Sequence, residues 1–539
     1  MTNQDQQQPL PPAETRDPGA IAPDAEATQA TPYAWYALSV LVLIYILNFV
    51  DRQILSILAN DIKRDLGLSD TDLGFLYGTA FAVFYALFGI PLGKLADSWH
   101  RVKLMSIGLT LWSAMTALSG FARSGATLTL ARVGVGVGEA TASPSAYSLI
   151  SDWFPKRMRA TALAIYSSGL YLGSGLSLLI GGMIVQRWNE AYPGGGPLGL
   201  VGWHAAFLAV GIPGLLLALW VWTLKEPVRG AIDGHVTPPH PAPFADFVRE
   251  LFAVIPPFTL IGAARRGGSA LLFNLIGAGV IAAVAFALYR LMGTGTGAQW
   301  LFLGVGYYAV FSWASSLRQR DPATFRLIWG TPAFLCTVLG YGTVAFVSYA
   351  LSYWAAPYAE RVFMVPKTEL GWWIGGPGAL AGFLGVILGG RMADWLRARH
   401  AAGRIIVVIF GLLAPLPAVL IAFTTSNVTI FFVMNFLAGL LVASALGAAA
   451  ATTQDLVLPR MRGTATATFF LSTTLVGLAL GPFLAGYIST RTDSLATGVL
   501  STLAIVPVGL ALLVAAWRML PEAERSVAAR AREAEADGN

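Results

Sequence analysis

The sequence predicts an all-α polytopic membrane protein: two six-helix bundles in parallel repeat, with an extra helix pair between them. Three observations predict it. Of 539 residues, 55% are hydrophobic and only 12% charged, whereas a soluble protein carries about a quarter charged residues, so most of the surface must face lipid. Many apolar runs reach the ~20 residues that cross a bilayer as helix. Two tracts also recur in the same order. Gly93-Lys94-Leu95-Ala96-Asp97 is echoed by Gly390-Arg391-Met392-Ala393-Asp394, and Arg157-Met158-Arg159-Ala160-Thr161-Ala162 by Arg460-Met461-Arg462-Gly463-Thr464-Ala465, at offsets of 297 and 303.

Residues 1–32, rich in Gln, Pro, Ala and Asp, read as a disordered cytoplasmic tail without the basic and apolar regions of a signal peptide. Residues 33–224 form the first bundle, with spans expected at 34–59, 72–95, 102–121, 127–150, 160–186 and 203–224. Residues 225–322 are a central linker with two further apolar runs, 269–289 and 300–317. The first is apolar all round and the second is rich in Trp and Tyr, as at a membrane interface. Counting both as spans gives fourteen, an even number, which both halves need to keep one orientation. Residues 323–520 form the second bundle, with spans at 327–356, 371–395, 404–424, 428–457, 463–489 and 496–519, and 521–539 a second cytoplasmic tail.

The 35 basic and 29 acidic residues leave +6, spread over short loops rather than gathered in a patch, which argues against nucleic-acid binding. His100, Arg101, Lys103, Lys156, Arg157, Arg159 and their second-half counterparts Arg397, Arg399, Arg404, Arg460 and Arg462 fall on one side. That side is expected to be cytoplasmic, with both termini, in a cell (inner) membrane. The lone Cys336 excludes an intrachain disulfide. The five histidines lie in or near loops without metal-ligand spacing, so no metal, cofactor or enzymatic centre is expected. Gly89 to Leu95 lacks the spacing and the Ser/Thr of a phosphate loop, which argues against an ATP-driven pump.

Charges inside spans are costly and mark function by default. Asp51 and Arg52 interrupt the first span; Arg132 and Glu139 interrupt the fourth. Counted along the helices, Asp51 lies ~8 Å and Arg132 ~6 Å below the outer face, so an ion pair between them is expected. Glu139 lies ~10 Å deeper on the same face as Arg132, with no obvious fixed partner. A desolvated carboxylate there favours taking up a proton, which makes Asp51 and Glu139 candidates for proton coupling, and Arg52 and Arg132 candidates for an ion-pair switch or a substrate head-group contact. A permanent, self-neutralising ion pair is the alternative. The second half offers Ser348, Tyr349, Ser352, Tyr353 and Trp354, then Asn435, Ser444, Thr452, Thr453 and Gln454. As a cavity wall, Tyr349, Ser352, Tyr353, Trp354, Asn435, Thr452 and Gln454 would suit an amphipathic or lipid-like solute; as lipid-facing belt residues, the aromatics would do nothing of the kind. Glu360 and Arg361 read as an outer gate or, more simply, as solvated loop charges.

Gly93, Asp97 and Arg101, with Gly390 and Asp394 in the repeat, resemble the cytoplasmic loop motif of the major facilitator superfamily. Ser98 stands where that motif has a basic residue, His100 where it has glycine, and Trp395 departs likewise in the second copy. The resemblance implies a gate latch from Asp97 to the other half. Tyr45-Ile46-Leu47-Asn48-Phe49-Val50-Asp51-Arg52, Gly136-Val137-Gly138-Glu139-Ala140, Pro144 and Ser151-Asp152-Trp153-Phe154-Pro155 resemble the Spinster family within it. This implies two bundles around a central cavity lined by the first and fourth spans, proton coupling through Asp51, Arg132 and Glu139, and sphingolipid- or lysolipid-like solutes. The expected protein is a monomeric secondary transporter working by alternating access, its partners protons, membrane lipid and an amphipathic solute. An organic-anion or drug transporter of the same superfamily is the alternative within the class; a non-transporting receptor or scaffold is the alternative outside it.

Overall fold

The computed structural model describes residues 29–233, 238 and 240–537. The tail expected over residues 1–32 lies almost wholly outside them. Every regular element among the described residues is a helix.

The first span, Pro32–Leu66, starts where Thr31 Oγ1 accepts the Ala34 N–H at 3.2 Å, and stops at Gly67, whose φ of 64° suits a left-handed cap. The second, Asp70–Ser98, begins with a capping box in which Ser69 and Asp72 bond each other's backbone N–H. The third is Arg101–Ser119. The fourth is broken: Gly125–Glu139 ends beside the buried carboxylate and Ala142–Trp153 resumes. Gly136 and Gly138 let it approach the backbone of Phe81 and Trp112, leaving no room for a Cβ. Lys156–Ala191 and Gly202–Trp222 complete the first half.

The linker carries Pro243–Val254 and Phe258–Arg266, bent by 97°. A hairpin follows, Gly268–Met292 and Gly297–Arg320, with helices of 25 and 24 residues. At 1.5 Å per residue each is ~36 Å long, enough to span the hydrocarbon core. Twelve helices among the described residues are long and apolar enough to cross a membrane. They include the first hairpin helix but neither the broken fourth span nor the second hairpin helix. Those two occupy the remaining two of the fourteen expected positions as helices, without being long and apolar enough by the same measure.

The seventh span does not begin at 327. A short helix, Pro322–Ile328, precedes it, and the span runs Pro332–Phe363, because a residue followed by proline, here Thr331, is disfavoured in the α region. The eighth to twelfth are Lys367–Arg397, Gly403–Thr424, Val428–Asp455, Pro459–Thr492 and Leu495–Arg525. A last helix, Val527–Asp537, docks on Pro322–Ile328 with Val527, Ala531 and Ala534 buried. Within the halves, the first span packs on the fifth and the seventh on the twelfth and eleventh. Between the halves, the second meets the eleventh, the fifth meets the eighth and the first meets the seventh.

Candidate functional site

Asp51 and Arg52 are consecutive on the first span and therefore point ~100° apart. Asp51, 1% exposed, faces the third and fourth spans. Thr116 Oγ1 donates to its Oδ2, and Arg132 Nη1 lies 3.5 Å from its Oδ1. Arg52 turns the other way. Its Nη2 and Nε donate to Glu139 Oε2 at 2.6 and 3.2 Å, and its guanidinium is walled by the rings of Phe49, Phe81 and Tyr85 at 4.9, 4.5 and 5.0 Å. The ring of Phe81 also lies 5.4 Å from the Arg132 guanidinium, so one aromatic separates the two cations.

The expected Asp51–Arg132 pair is present; the expectation that Glu139 lacks a partner is wrong. Arg52 reaches it because a helical side chain leans toward the N-terminus of its own helix, and on the first span that direction runs down toward Glu139. The four charges thus make two crossed pairs with no net charge. They are incompletely satisfied: Arg132 Nε and Nη2 and Glu139 Oε1 are buried without a hydrogen-bond partner among the described residues.

One residue along, Gln53 ties the charged cluster to the second half. Its Nε2 donates to Ser352 Oγ at 2.8 Å, and Tyr77 OH donates to its Oε1 at 2.7 Å. Ser352 is exposed although it sits mid-span and faces the first half, so an open space adjoins it. Tyr349 and Asn435 are partly exposed. Tyr353 is buried, stacked on Tyr77 at 4.2 Å, with its hydroxyl unpartnered among the described residues. Trp354 and Thr452 do not belong to a cavity wall. The Trp354 indole is buried and donates to the Pro482 carbonyl at 3.0 Å, and Thr452 Oγ1 is spent on its own helix at Ala448. Gln454 lies at the end of its span beside Thr466.

Glu360 and Arg361 are not solvated loop charges. Arg361 grips Asp70 with both terminal nitrogens, at 2.8 and 2.9 Å, and donates to Asn60 at 2.6 Å. Asp70, 3% exposed, also takes Lys63 at 2.8 Å and Ser489 at 2.7 Å. Lys367 bridges Glu360 at 2.7 Å and Asp61 at 3.2 Å. These contacts fasten the two halves together at the end that carries the 67–69 and 364–366 connections.

At the opposite end the gate residues behave unequally. Arg101 is fully buried, paired with Asp152 and with Glu226 at 2.7 Å. Asp97 is exposed and, among the described residues, makes no ion pair with the second half; the latch implied by the motif is not formed. Gly93 is half-buried near Pro144, Gly390 has open space beside it, and Asp394 is exposed 3.7 Å from Arg404. Arg404 pairs with Asp455, repeating Arg101 and Asp152 at the same offset of 303, and Arg397 holds Glu524 at 2.6 Å. The repeat itself was the signal that could have found Asp152 and Asp455.

The family model described as Major Facilitator Superfamily matches residues 41–365 and 346–537. An MFS-type efflux pump of Mycolicibacterium smegmatis is 29% identical over 491 residues, covering 90% of each chain. Protein spinster of Drosophila melanogaster is 24% identical over 481 residues, 88% of this chain and 64% of that one. Among solved structures, a bacterial homolog of the human lysosomal transporter Spinster, inward-facing and unoccupied, superposes with a TM-score of 0.66 at 27% identity over 93% of this chain and 99% of that one. A peptide transporter POT shares the fold, with a TM-score of 0.61 at 17% identity over 91% and 95%.

Proposed function

This chain belongs to the Major Facilitator Superfamily, and from that premise we propose that it is a proton-coupled secondary transporter of an amphipathic, lipid-like solute, working by alternating access. The crossed pairs Asp51–Arg132 and Arg52–Glu139 carry the proposal. Burying an ion pair costs several kcal/mol per charge before mutual attraction offsets it, so evolution retains such pairs inside a membrane chiefly where the charges move or bind. One proton added to Asp51 or Glu139 leaves the cluster with an unneutralised guanidinium. A proton on Asp51 releases Arg132, whose Nε and Nη2 have no partner among the described residues, to hold an anionic head group; a proton on Glu139 releases Arg52 instead. An apolar tail would lie along the space beside Tyr349 and Ser352. Both termini and the Asp97 end are assigned to the cytoplasm of a cell (inner) membrane, which makes the Asp70–Arg361 end the outer one and the conformation inward-facing. The protein is taken as a monomer.

The coupling has a sign. If protonation frees Arg132 for an anionic head, proton and solute assist each other, and apparent affinity rises as pH falls. A cationic head would compete with protons for Asp51 and Glu139, and its affinity would fall instead. Flux into reconstituted vesicles, with and without a pH gradient, across lysolipids, sphingoid phosphates and amphipathic drugs, tests both. Flux of no solute, despite binding, would leave a receptor or scaffold. Transport of some other amphipathic drug or organic anion is the second reading, favoured by the similarity to the mycobacterial efflux pump over 90% of the chain; pH-driven flux of drugs but of no lysolipid would select it.

A further inference from the structure

The central hairpin has a feature that alternating access does not use. Its second helix leans on the second and eleventh spans, with Tyr307 OH donating to the Leu475 carbonyl at 3.3 Å and Gln299 Nε2 to the Ala479 carbonyl at 3.4 Å. Its first helix packs mainly on the second and on Phe258–Arg266, and only 6% of its most apolar stretch is buried. Between the two hairpin helices and Pro322–Ile328 runs a cavity of 620 Å³ walled by Val284, Leu288, Leu303 and Phe311. Gly304 lines it opposite Ala285, whose Cβ would lie 3.5 Å from a Cβ placed at Gly304. From Trp300 to Arg318 it follows the second helix for ~27 Å, most of the thickness of the hydrocarbon core.

The two ends of this groove differ. Trp300 closes one. At the other stand Arg318, exposed and without an ion pair among the described residues, and Trp329, whose indole N–H is buried with no acceptor. Arg265, Arg266, Arg320 and Arg326 gather at the same end; Glu250 pairs with Arg320, Glu533 with Arg326, and Asp321 caps the short helix, so arginines outnumber the acids there among the described residues. Lipid tails are as apolar as the groove, so filling it yields packing contacts but no hydrophobic driving force. Selectivity must therefore come from the polar end, and that end is cationic.

We infer that the groove is a binding site for one anionic phospholipid of the surrounding membrane. An acyl chain lies between the hairpin helices, the phosphate sits on Arg318, and the Trp329 indole donates to a head-group or ester oxygen. A zwitterionic lipid would bring its ammonium to a cluster of arginines and is disfavoured. The inference does not depend on the transported solute, since none of the lining residues belongs to the crossed ion pairs.

The test is native mass spectrometry of the purified full-length chain, incubated with equal amounts of phosphatidylglycerol and phosphatidylcholine carrying the same acyl chains. One tight phosphatidylglycerol adduct is expected, favoured about fivefold over phosphatidylcholine, as one well-placed arginine supplies. Arg318→Ala should bring the two lipids near parity, Arg318→Lys should keep most of the preference, and Gly304→Trp should remove the adduct by filling the groove. Equal retention of both lipids by the unaltered chain overturns the inference, as does an unchanged preference in Arg318→Ala. A tight adduct that survives Gly304→Trp places the lipid elsewhere, and palmitate binding as tightly as phosphatidylglycerol makes it a fatty-acid site; either result overturns it. If Gly304→Trp does not melt cooperatively, the two Arg318 variants decide. The readout needs no flux, so its failure leaves the transport proposal standing.

Discussion

At the scale of single residues, the central question is which charge answers which. Asp51→Asn and Glu139→Gln preserve shape and remove the titrating group. Each is expected to cut pH-driven flux in vesicles at least ~100-fold, the scale of losing a positioned proton-transfer group, while the protein still melts cooperatively. Unchanged pH dependence in both variants would remove the proton role from the site. Arg132→Ala is expected to impair transport more than Arg132→Lys, because lysine keeps the charge and loses only the planar fork. Equal flux from the two variants and the unaltered chain would argue for an inert pair. Both acids and both arginines were legible in the sequence, since charge inside an apolar run stands out. The Arg52–Glu139 pairing was not. Depth along a helix can be counted from the sequence, but rotation about its axis and the reach of a guanidinium depend on which neighbour it meets.

At the scale of elements, the duplication repeats a device rather than only a motif. The start of the third span is tied to the end of the fourth by Arg101 and Asp152, and the start of the ninth to the end of the tenth by Arg404 and Asp455. The two copies differ in burial: the Arg101 side chain is fully buried, that of Arg404 20% exposed. Arg101→Ala leaves Asp152 with the Gly230 N–H and Glu226 with the Val102 N–H and His100, and is expected to cost about 3 kcal/mol; Arg404→Ala, better solvated, should cost less. Thermal melts of the two variants in detergent compare them, and a larger loss from Arg404→Ala would contradict the burial argument. The broken fourth span follows the same logic. Gly136 and Gly138 are visible in the sequence as small residues, but only the backbones of Phe81 and Trp112 explain why no Cβ fits there.

At the scale of the whole molecule, the two halves are held shut at one end by Asp70, Arg361, Lys367, Glu360 and Asp61. A rocking transporter must break these contacts in each cycle. Paired Asp61→Cys and Lys367→Cys in a Cys336→Ser background should be bridged by a short bis-methanethiosulfonate that spans the Lys367–Asp61 contact; bridging should stop flux and reduction should restore it. Full flux in the bridged protein would mean that this end need not open. Asp70→Asn removes the acceptor shared by Arg361, Lys63 and Ser489. It is expected to raise the labelling of a cysteine placed at Ser352 by an impermeant maleimide from the Asp70 side; unchanged labelling would show that the network does not set the equilibrium.

The sequence by itself determined the class of the molecule. Apolar length, scarce charge and a repeated loop tract specify two parallel sets of membrane helices, because the cost of bare backbone and bare charge in lipid is paid locally, residue by residue. It also exposed Asp51, Arg52, Arg132 and Glu139, for the same reason. The tertiary structure alone decided the crossed pairing of those four and the removal of Trp354 and Thr452 from the cavity wall. It alone turned Glu360 and Arg361 from loop charges into a fastening, and gave the central hairpin a groove. Each of these depends on the rotation and approach of helices distant in the chain, which follows from how surfaces fit together and not from the order of residues along any one helix.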